Sequence, residues 1–214
     1  MQRIVKICLS AMALAYTSLG FAEDNLTKIS KALAALPAAE QEEVTDWLMH
    51  LATYRDLVQK LPTEPDKELV MPVQGVRISQ VKDTWGGVRS GNRRHEGADI
   101  FAPEGTPIYS ATHGYVWEID QNRLGGNFVA IVGAGGMRYY YAHLQKYAPD
   151  LKEGQEVTPN TLIGYVGRTG GAKTTPPHLH LGIYNGFEFW DEVSVYNPYP
   201  MLIDRKKWQD KQKV

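Results

Sequence analysis

His178-Leu179-His180-Leu181-Gly182-Ile183-Tyr184 sets polar rings and apolar side chains in alternation. On a strand, residues two apart point to the same face. The two imidazoles therefore share one side, and Leu179 and Leu181 occupy the other. Toward the N-terminus similar short runs recur: Leu162-Ile163-Gly164-Tyr165-Val166, Arg138-Tyr139-Tyr140-Tyr141, Phe128-Val129-Ala130-Ile131-Val132, Tyr115-Val116-Trp117-Glu118-Ile119 and Pro107-Ile108-Tyr109. Gly, Pro and Asn separate them. Spacing of this kind predicts a mainly β fold from about Val70 onward, an antiparallel sheet that is sandwich-like or barrel-like. No helix-length apolar period falls between the runs, which argues against a βαβ architecture. Tyr139, Tyr140 and Tyr141 alternate faces, so at least one packs in the core. No internal repeat is visible.

The chain has 214 residues, 43% hydrophobic and 22% charged, with a formal net charge of −1. This is globular composition, enough for one domain and an appendage. So weak a charge offers no field for gripping nucleic acid. The single Cys excludes an internal disulfide framework and a thiolate zinc cluster.

The first residues read as an address. Arg3 and Lys6 form a positive start, Ile7 to Leu19 is apolar, and Gly20-Phe21-Ala22 gives a small-x-small cleavage signature before Glu23-Asp24. A secretory signal peptide over residues 1–22 is expected, with no stable membrane span after its removal, because the apolar run is short for a span of about 20 residues. Its loss takes Cys8, Arg3 and Lys6 with it, and the formal charge falls from −1 to −3.

Residues 23–66 read as an acidic two-helix segment and linker, with nine acids and four bases from Glu23 to Asp66. Leu26, Ile29, Leu33 and Leu36 carry the first helical period. Pro37 stands where a second helix starts, and Val44, Trp47, Leu48, Leu51, Val58 and Leu61 carry that one. Leu61-Pro62-Thr63-Glu64-Pro65-Asp66 is the expected linker. The segment either packs as a plain extension, covers the β domain as a lid, or binds a partner. The β domain is expected over 67–200 and a basic, solvated tail over 201–214.

Four of the six His fall where chemistry is plausible. His95-Glu96-Gly97-Ala98-Asp99 sets an imidazole and a carboxylate four residues apart. His178 and His180 share a strand face, and His143 ends the run that holds the three tyrosines. Catalytic zinc takes three N or O protein ligands and keeps a position for water. His95, Asp99 and one member of the His178/His180 pair would complete such a set, leaving the ion at net +1 and able to acidify water. The remaining imidazole would then move protons or stabilise an oxyanion. His50 in the acidic helix reads as solvated, and His113 before Gly114 as a turn residue rather than a ligand. Gly167-Arg168-Thr169-Gly170-Gly171-Ala172-Lys173-Thr174 nearly spells a phosphate-binding loop, but Ala172 replaces a required Gly and Thr175-Pro176-Pro177 blocks the helix that would hold phosphate. A Gly-rich turn leading into the His178 strand explains it better.

Taken together, His95-Glu-Gly-Ala-Asp99, Tyr141-Ala-His143-Leu144 and His178-Leu-His180 resemble the three signatures of the lysostaphin-type (LytM-domain) zinc peptidases. The stretches between agree: Pro72-Val73-Gln74-Gly75, Gly105-Thr106-Pro107-Ile108, Ala111-Thr112-His113-Gly114-Tyr115-Val116, Gly154-Gln155-Glu156-Val157 and Ile163-Gly164-Tyr165-Val166-Gly167 are similar to the family's pattern. The resemblance implies one zinc ion per chain held by His95, Asp99 and His180. It implies that His143 and His178 flank the reacting centre, one as general base and the other beside the oxyanion. It also implies hydrolysis of peptide bonds in peptidoglycan stem peptides or crosslinks, outside the cytoplasm of a bacterium. Arg89, in Trp85-Gly86-Gly87-Val88-Arg89, is a candidate for binding substrate carboxylates through its guanidinium fork. No oxyanion-assisting Tyr can be assigned from the sequence. The alternative is a non-catalytic module of the same type that binds the wall or activates another hydrolase. The complete set of His95, Asp99, His143, His178 and His180 favours the enzyme.

Overall fold

A computed structural model describes residues 31, 34–89, 91–185 and 194–212. The expected signal peptide and the apolar positions Leu26, Ile29 and Leu33 of the first helix lie outside the described residues, as do the side chains of Trp47, Leu48 and Leu51. The chain divides into two compact units, Met1–Thr53 and Tyr54–Val214. Helix α1 (Ala38–Val58) starts directly after Pro37, with acidic Glu40 in its first turn and Arg55 in its last. Both charges suit the helix dipole.

The second unit is mainly β. Its principal sheet is built from β2 (Ala98–Phe101), β4 (Gly114–Asn122), β5 (Gly126–Gly133), β6 (Arg138–Leu144), β8 (Glu156–Val157), β10 (His178–Asn185) and β11 (Ser194–Tyr196). They run in the order β11-β10-β6-β5-β4-β8, with β2 also paired to β10. All of these pairings are antiparallel. A smaller sheet joins β3 (Pro107–Tyr109), β9 (Leu162–Tyr165) and β7 (Lys146–Tyr147). Strands β1 (Leu69–Val70) and β12 (Leu202–Ile203) form a short parallel pair.

Period-two alternation partitions the large sheet. Leu179, Leu181 and Ile183 of β10 face the main core with Tyr139, Tyr141, Ile131 and Ile100, all fully buried. Two of the three consecutive tyrosines therefore pack there, and the Tyr141 hydroxyl accepts the Ala111 N–H at 2.9 Å. The opposite face carries His178, His180, Tyr140 and Ala142, and it continues into a second cluster of Trp117, Phe128, Ala130 and Val132. The final turn of α1 packs on that cluster through Leu57, Tyr54 and Val58. The Tyr54 ring meets Trp117 edge-on at 5.3 Å, and its hydroxyl donates to the Gly136 carbonyl at 2.5 Å. Burial raises the Tyr54 phenol's pKa, a shift that the nearby Arg138 charge opposes.

Two segments that read as loose from sequence are tied down. Pro62 accepts the Gly135 N–H at 2.8 Å, and the Asp66 carboxylate accepts hydrogen bonds from the Thr112 and Tyr139 hydroxyls. Residues 62–66 are thus a strap on the β unit rather than a free tether. Past residue 200 the expected frayed tail is instead ordered: Leu202 and Ile203 pair with β1, and helix α2 (Arg205–Lys211) follows. Arg205 donates to the Pro159 and Met71 carbonyls at 2.5 and 3.0 Å and stacks on Tyr109. Its charge is invested in backbone acceptors, which a count of basic residues does not reveal.

Candidate metal centre and active site

Strand register assembles the cluster. His180 lies opposite Asp99 and His178 opposite Phe101 across the β2–β10 ladder. Cross-strand partners share a face, so the two imidazoles and the carboxylate meet on one side of the sheet. His95 arrives from a small hairpin: Val88 bridges Arg94, and the His95 N–H donates to the Gly87 carbonyl at 2.8 Å. Gly97 lets the chain turn tightly from His95 into β2. A Cβ there would stand 2.5 Å from His180 Cε1 and 2.6 Å from the Leu181 carbonyl oxygen, so no other residue fits without displacing the ring.

His143 comes from β6, at a bulge. The β5–β6 register shifts between Asn127 and Val129, leaving an extra residue on β6 before Leu144. The extra residue bends the strand and re-aims a side chain. His143 takes a left-handed φ of 66°, unusual for a residue with a Cβ. Its N–H donates to the Gly125 carbonyl at 2.7 Å, which holds this conformation.

Three atoms converge. His95 Nε2, Asp99 Oδ1 and His180 Nδ1 lie 3.0 Å from one another in every pair. His95 and Asp99 are 4% and 6% exposed, and these three residues form the metal-type group among the described residues. His95 Nδ1 lies 2.9 Å from the Thr84 carbonyl and 3.0 Å from the Thr84 hydroxyl, which leaves Nε2 to face Asp99 and His180. Two imidazole nitrogens and a carboxylate oxygen converge in a buried space, a donor set that a cation can bridge. Zinc with bonds of about 2.0–2.1 Å in a tetrahedron separates its ligands by about 3.3 Å, so the donor set fits it with little movement.

Backbone carbonyls hold the rings beside the cluster in the same way. His178 Nδ1 donates to the Pro176 carbonyl at 2.8 Å and His143 Nδ1 to the Thr169 carbonyl at 3.0 Å. In the neutral form of each ring the lone pair is then on Nε2. The His143 and His178 centroids are 4.9 Å apart in a T-shaped contact, and His178 Nε2 lies 3.8 Å from Asp99 Oδ1. Thr169 belongs to the Gly-rich turn before β10. Its hydroxyl accepts the Asn127 N–H and donates to the Leu144 carbonyl, so the segment that mimics a phosphate loop serves to position His143.

The electrostatics follow from burial. Desolvation pushes the Asp99 carboxyl upward, but hydrogen bonds and charge from His180 and His95 outweigh it and hold the group well below the usual carboxylate range. Burial, with His178 and His180 alongside, lowers His143 to about 4, so this ring is neutral near pH 7. Burial likewise lowers His180, against the opposing pull of Asp99. Arg89 bonds Asp99 Oδ2, the carboxylate oxygen turned away from the imidazoles, while its own side chain is 40% exposed. The candidate substrate-binding cation is thus also an anchor for the carboxylate.

All six residues singled out from the sequence come together: His95, Asp99, His180, His143 and His178 in one cluster, with Arg89 on its edge. His113 is exposed in the turn before β4. Sequence reasoning missed Phe101, whose ring centroid lies 5.1 Å from that of His178. Asp99 and Phe101 are two apart on a strand, so the period-two rule alone could have placed it on the site face. It also missed the carbonyls of Thr84, Thr169 and Pro176, because backbone groups leave no mark in a sequence. Tyr140 shares the site face, 6.5 Å from the His180 ring between centroids, and its hydroxyl accepts from Asn122 Nδ2 at 2.9 Å.

Residues 93–193 match the model of peptidase family M23. The chain carries a peptidase family M23 domain. An L-Ala–D-Glu endopeptidase of Bacillus subtilis is 38% identical over 141 residues, covering 62% of this chain and 42% of that protein. A peptidoglycan DD-endopeptidase, ShyC, of Vibrio cholerae is 39% identical over 88 residues, covering 41% of this chain and 19% of its own length. The M23 chain thus spans less than half the length of either relative. A LytM structure from Ruminococcus gnavus is 26% identical with a TM-score of 0.51, covering 87% of this chain and 76% of that one. The curled antiparallel sheet is that of LytM-type peptidases. Family members similar to this chain are peptidoglycan endopeptidases.

Proposed function

We propose that this protein is an exported zinc endopeptidase that hydrolyses peptide bonds in bacterial peptidoglycan, in the periplasm or outside the cell. The observation that carries this reading is the convergence of His95 Nε2, Asp99 Oδ1 and His180 Nδ1 at mutual distances of 3.0 Å, with the His143 and His178 imidazoles in contact beside them. A structural zinc site would have no use for the extra pair. An L-Ala–D-Glu endopeptidase and a peptidoglycan DD-endopeptidase among its relatives support the same reading.

His95, Asp99 and His180 would hold one zinc ion, and zinc when bound supplies Lewis acidity that polarises a carbonyl and acidifies water. His143 and His178 do the proton work. A ring whose Nδ1–H is tied to a carbonyl cannot donate from Nε2 until that atom takes up a proton. Each of the pair therefore acts first as an acceptor. The ring that takes the proton of the attacking water becomes a cation. It can then return the proton to the leaving amine, or donate a hydrogen bond to the tetrahedral oxyanion. The Thr169 and Pro176 carbonyls fix the tautomer and stabilise the resulting charge. Arg89, anchored on Asp99, offers its exposed edge to a substrate carboxylate.

The test is digestion of purified sacculi by the zinc-loaded chain, with fragments identified by mass spectrometry beside Asp99→Ala. Loss of crosslinked or stem-peptide species with the wild type alone is expected and names the bond. Equal digestion by Asp99→Ala would overturn the metal assignment, and no digestion by zinc-loaded wild type would overturn the enzymatic one.

A further inference from the structure

Phe101 stands two residues along β2 from Asp99, opposite His178 and on the same face as the Asp99–His180 pair. Its ring lies against His178, yet the residue is 51% exposed, while its strand neighbours Ala98 and Ile100 are buried. Two more exposed apolar residues are chain neighbours of residues that bond the site. Val88 precedes Arg89, whose guanidinium bonds Asp99. Leu124 precedes Gly125, whose carbonyl holds the His143 N–H. Met49, Val88, Phe101, Leu124 and Tyr196 are the large apolar residues exposed to this degree among the described residues, and the Phe101 ring lies against a site imidazole. Scattered exposed apolar residues are ordinary; a half-exposed ring packed on a site imidazole marks a surface that something apolar covers.

We propose that Phe101 is a specificity-determining residue: its ring is the wall against which the side chain of a substrate residue next to the scissile bond packs. The proposal rests on the peptidase reading above and names the substrate class. A residue bearing a methyl or larger aliphatic group removes water from the ring, whereas glycine leaves it wet. Neither the metal-type triad nor the proton-handling pair uses Phe101, and its role is separable from theirs.

The experiment compares two synthetic peptides that differ only in alanine, supplied in L and D forms, against glycine beside the cleaved bond. It uses the zinc-loaded full chain, Phe101→Ala and Phe101→Leu, with zinc content measured for each. The wild type is expected to favour alanine in kcat/KM. In Phe101→Ala the alanine-to-glycine ratio should fall about three- to tenfold, the range that one methyl-sized contact supplies. Phe101→Leu should keep most of the preference, and zinc content should not change. An unchanged ratio in Phe101→Ala overturns the proposal. Absence of cleavage by zinc-loaded wild type would refute the peptidase reading instead. Calorimetric affinities for the same two peptides then decide the role of Phe101: a preference for alanine that Phe101→Ala abolishes supports it, and equal affinities in the wild type overturn it.

Discussion

Gly97→Ala should damage the metal centre without touching any ligand atom. The added Cβ would stand 2.5 Å from His180 Cε1 and 2.6 Å from the Leu181 carbonyl oxygen. Ordinary contacts of this kind begin near 3.4 Å. The ring or the strand must therefore retreat by roughly 0.9 Å, since overpacked cores relieve such clashes by shifting side chains and backbone. Leu181 is a fully buried β10 residue paired to Ala98, so the backbone has little freedom and the ring takes most of the movement. Metal–ligand distances tolerate only about 0.2 Å, so His180 Nδ1 would leave the point that it shares with His95 and Asp99. Overpacking costs about 1–3 kcal/mol. At about 2–4 °C per kcal/mol for a chain of this size, the expected fall in Tm is roughly 2–12 °C. Zinc affinity, read by competition with a chromophoric chelator, should weaken by about tenfold or more, in the range seen when ligand orientation is disturbed. Wild-type zinc affinity together with an unchanged Tm in Gly97→Ala would refute the close-packing argument and, with it, the placement of His180.

Other outcomes follow from the same geometry. His143→Ala should keep its zinc and lose about 10²–10⁴ in kcat, the range for a positioned acid–base group; loss of zinc instead would place His143 among the ligands. Asp99→Ala should bind zinc far more weakly and be inactive, as checked by metal analysis after dialysis. Asp66→Ala leaves the Tyr139 and Thr112 hydroxyls without their carboxylate in a buried setting and should cost about 1–3 kcal/mol, visible as a lower urea midpoint with kcat retained. An unaltered midpoint would mean that residues 62–66 do not strap the sheet. Chelation should lower Tm of the wild type and leave that of Asp99→Ala unchanged, because only an ion bound to the native state adds to stability.

Much of the fold was legible because its signal is local. Strand alternation is written residue by residue, and it separates Leu179 and Leu181 from His178 and His180 before any contact is known. The ligand types were legible for a similar reason: His95 and Asp99 lie four apart in one segment, and His178 and His180 two apart in another. The strap and the C-terminal end were not. Pro62–Asp66 has the composition of a linker, and Arg205-Lys206-Lys207 that of a solvated end. Their anchors are the backbone at Gly135, Pro159 and Met71 and the hydroxyls of Thr112 and Tyr139, all distant in the chain.

The period-two strands, the candidate ligands and the two further imidazoles can be read from residue order alone. That Asp99 stands opposite His180 rather than one residue away, that a bulge turns His143 toward His178, and that Arg89 rests on the outer oxygen of Asp99 are properties of the folded chain. Register is set by pairing between strands about eighty residues apart, which no local pattern encodes. A slip of one residue would send every side chain of β2 to the other face. The orientations of the His143 and His178 rings depend likewise on the Thr169 and Pro176 carbonyls, groups that every residue has and that only the folded chain aims.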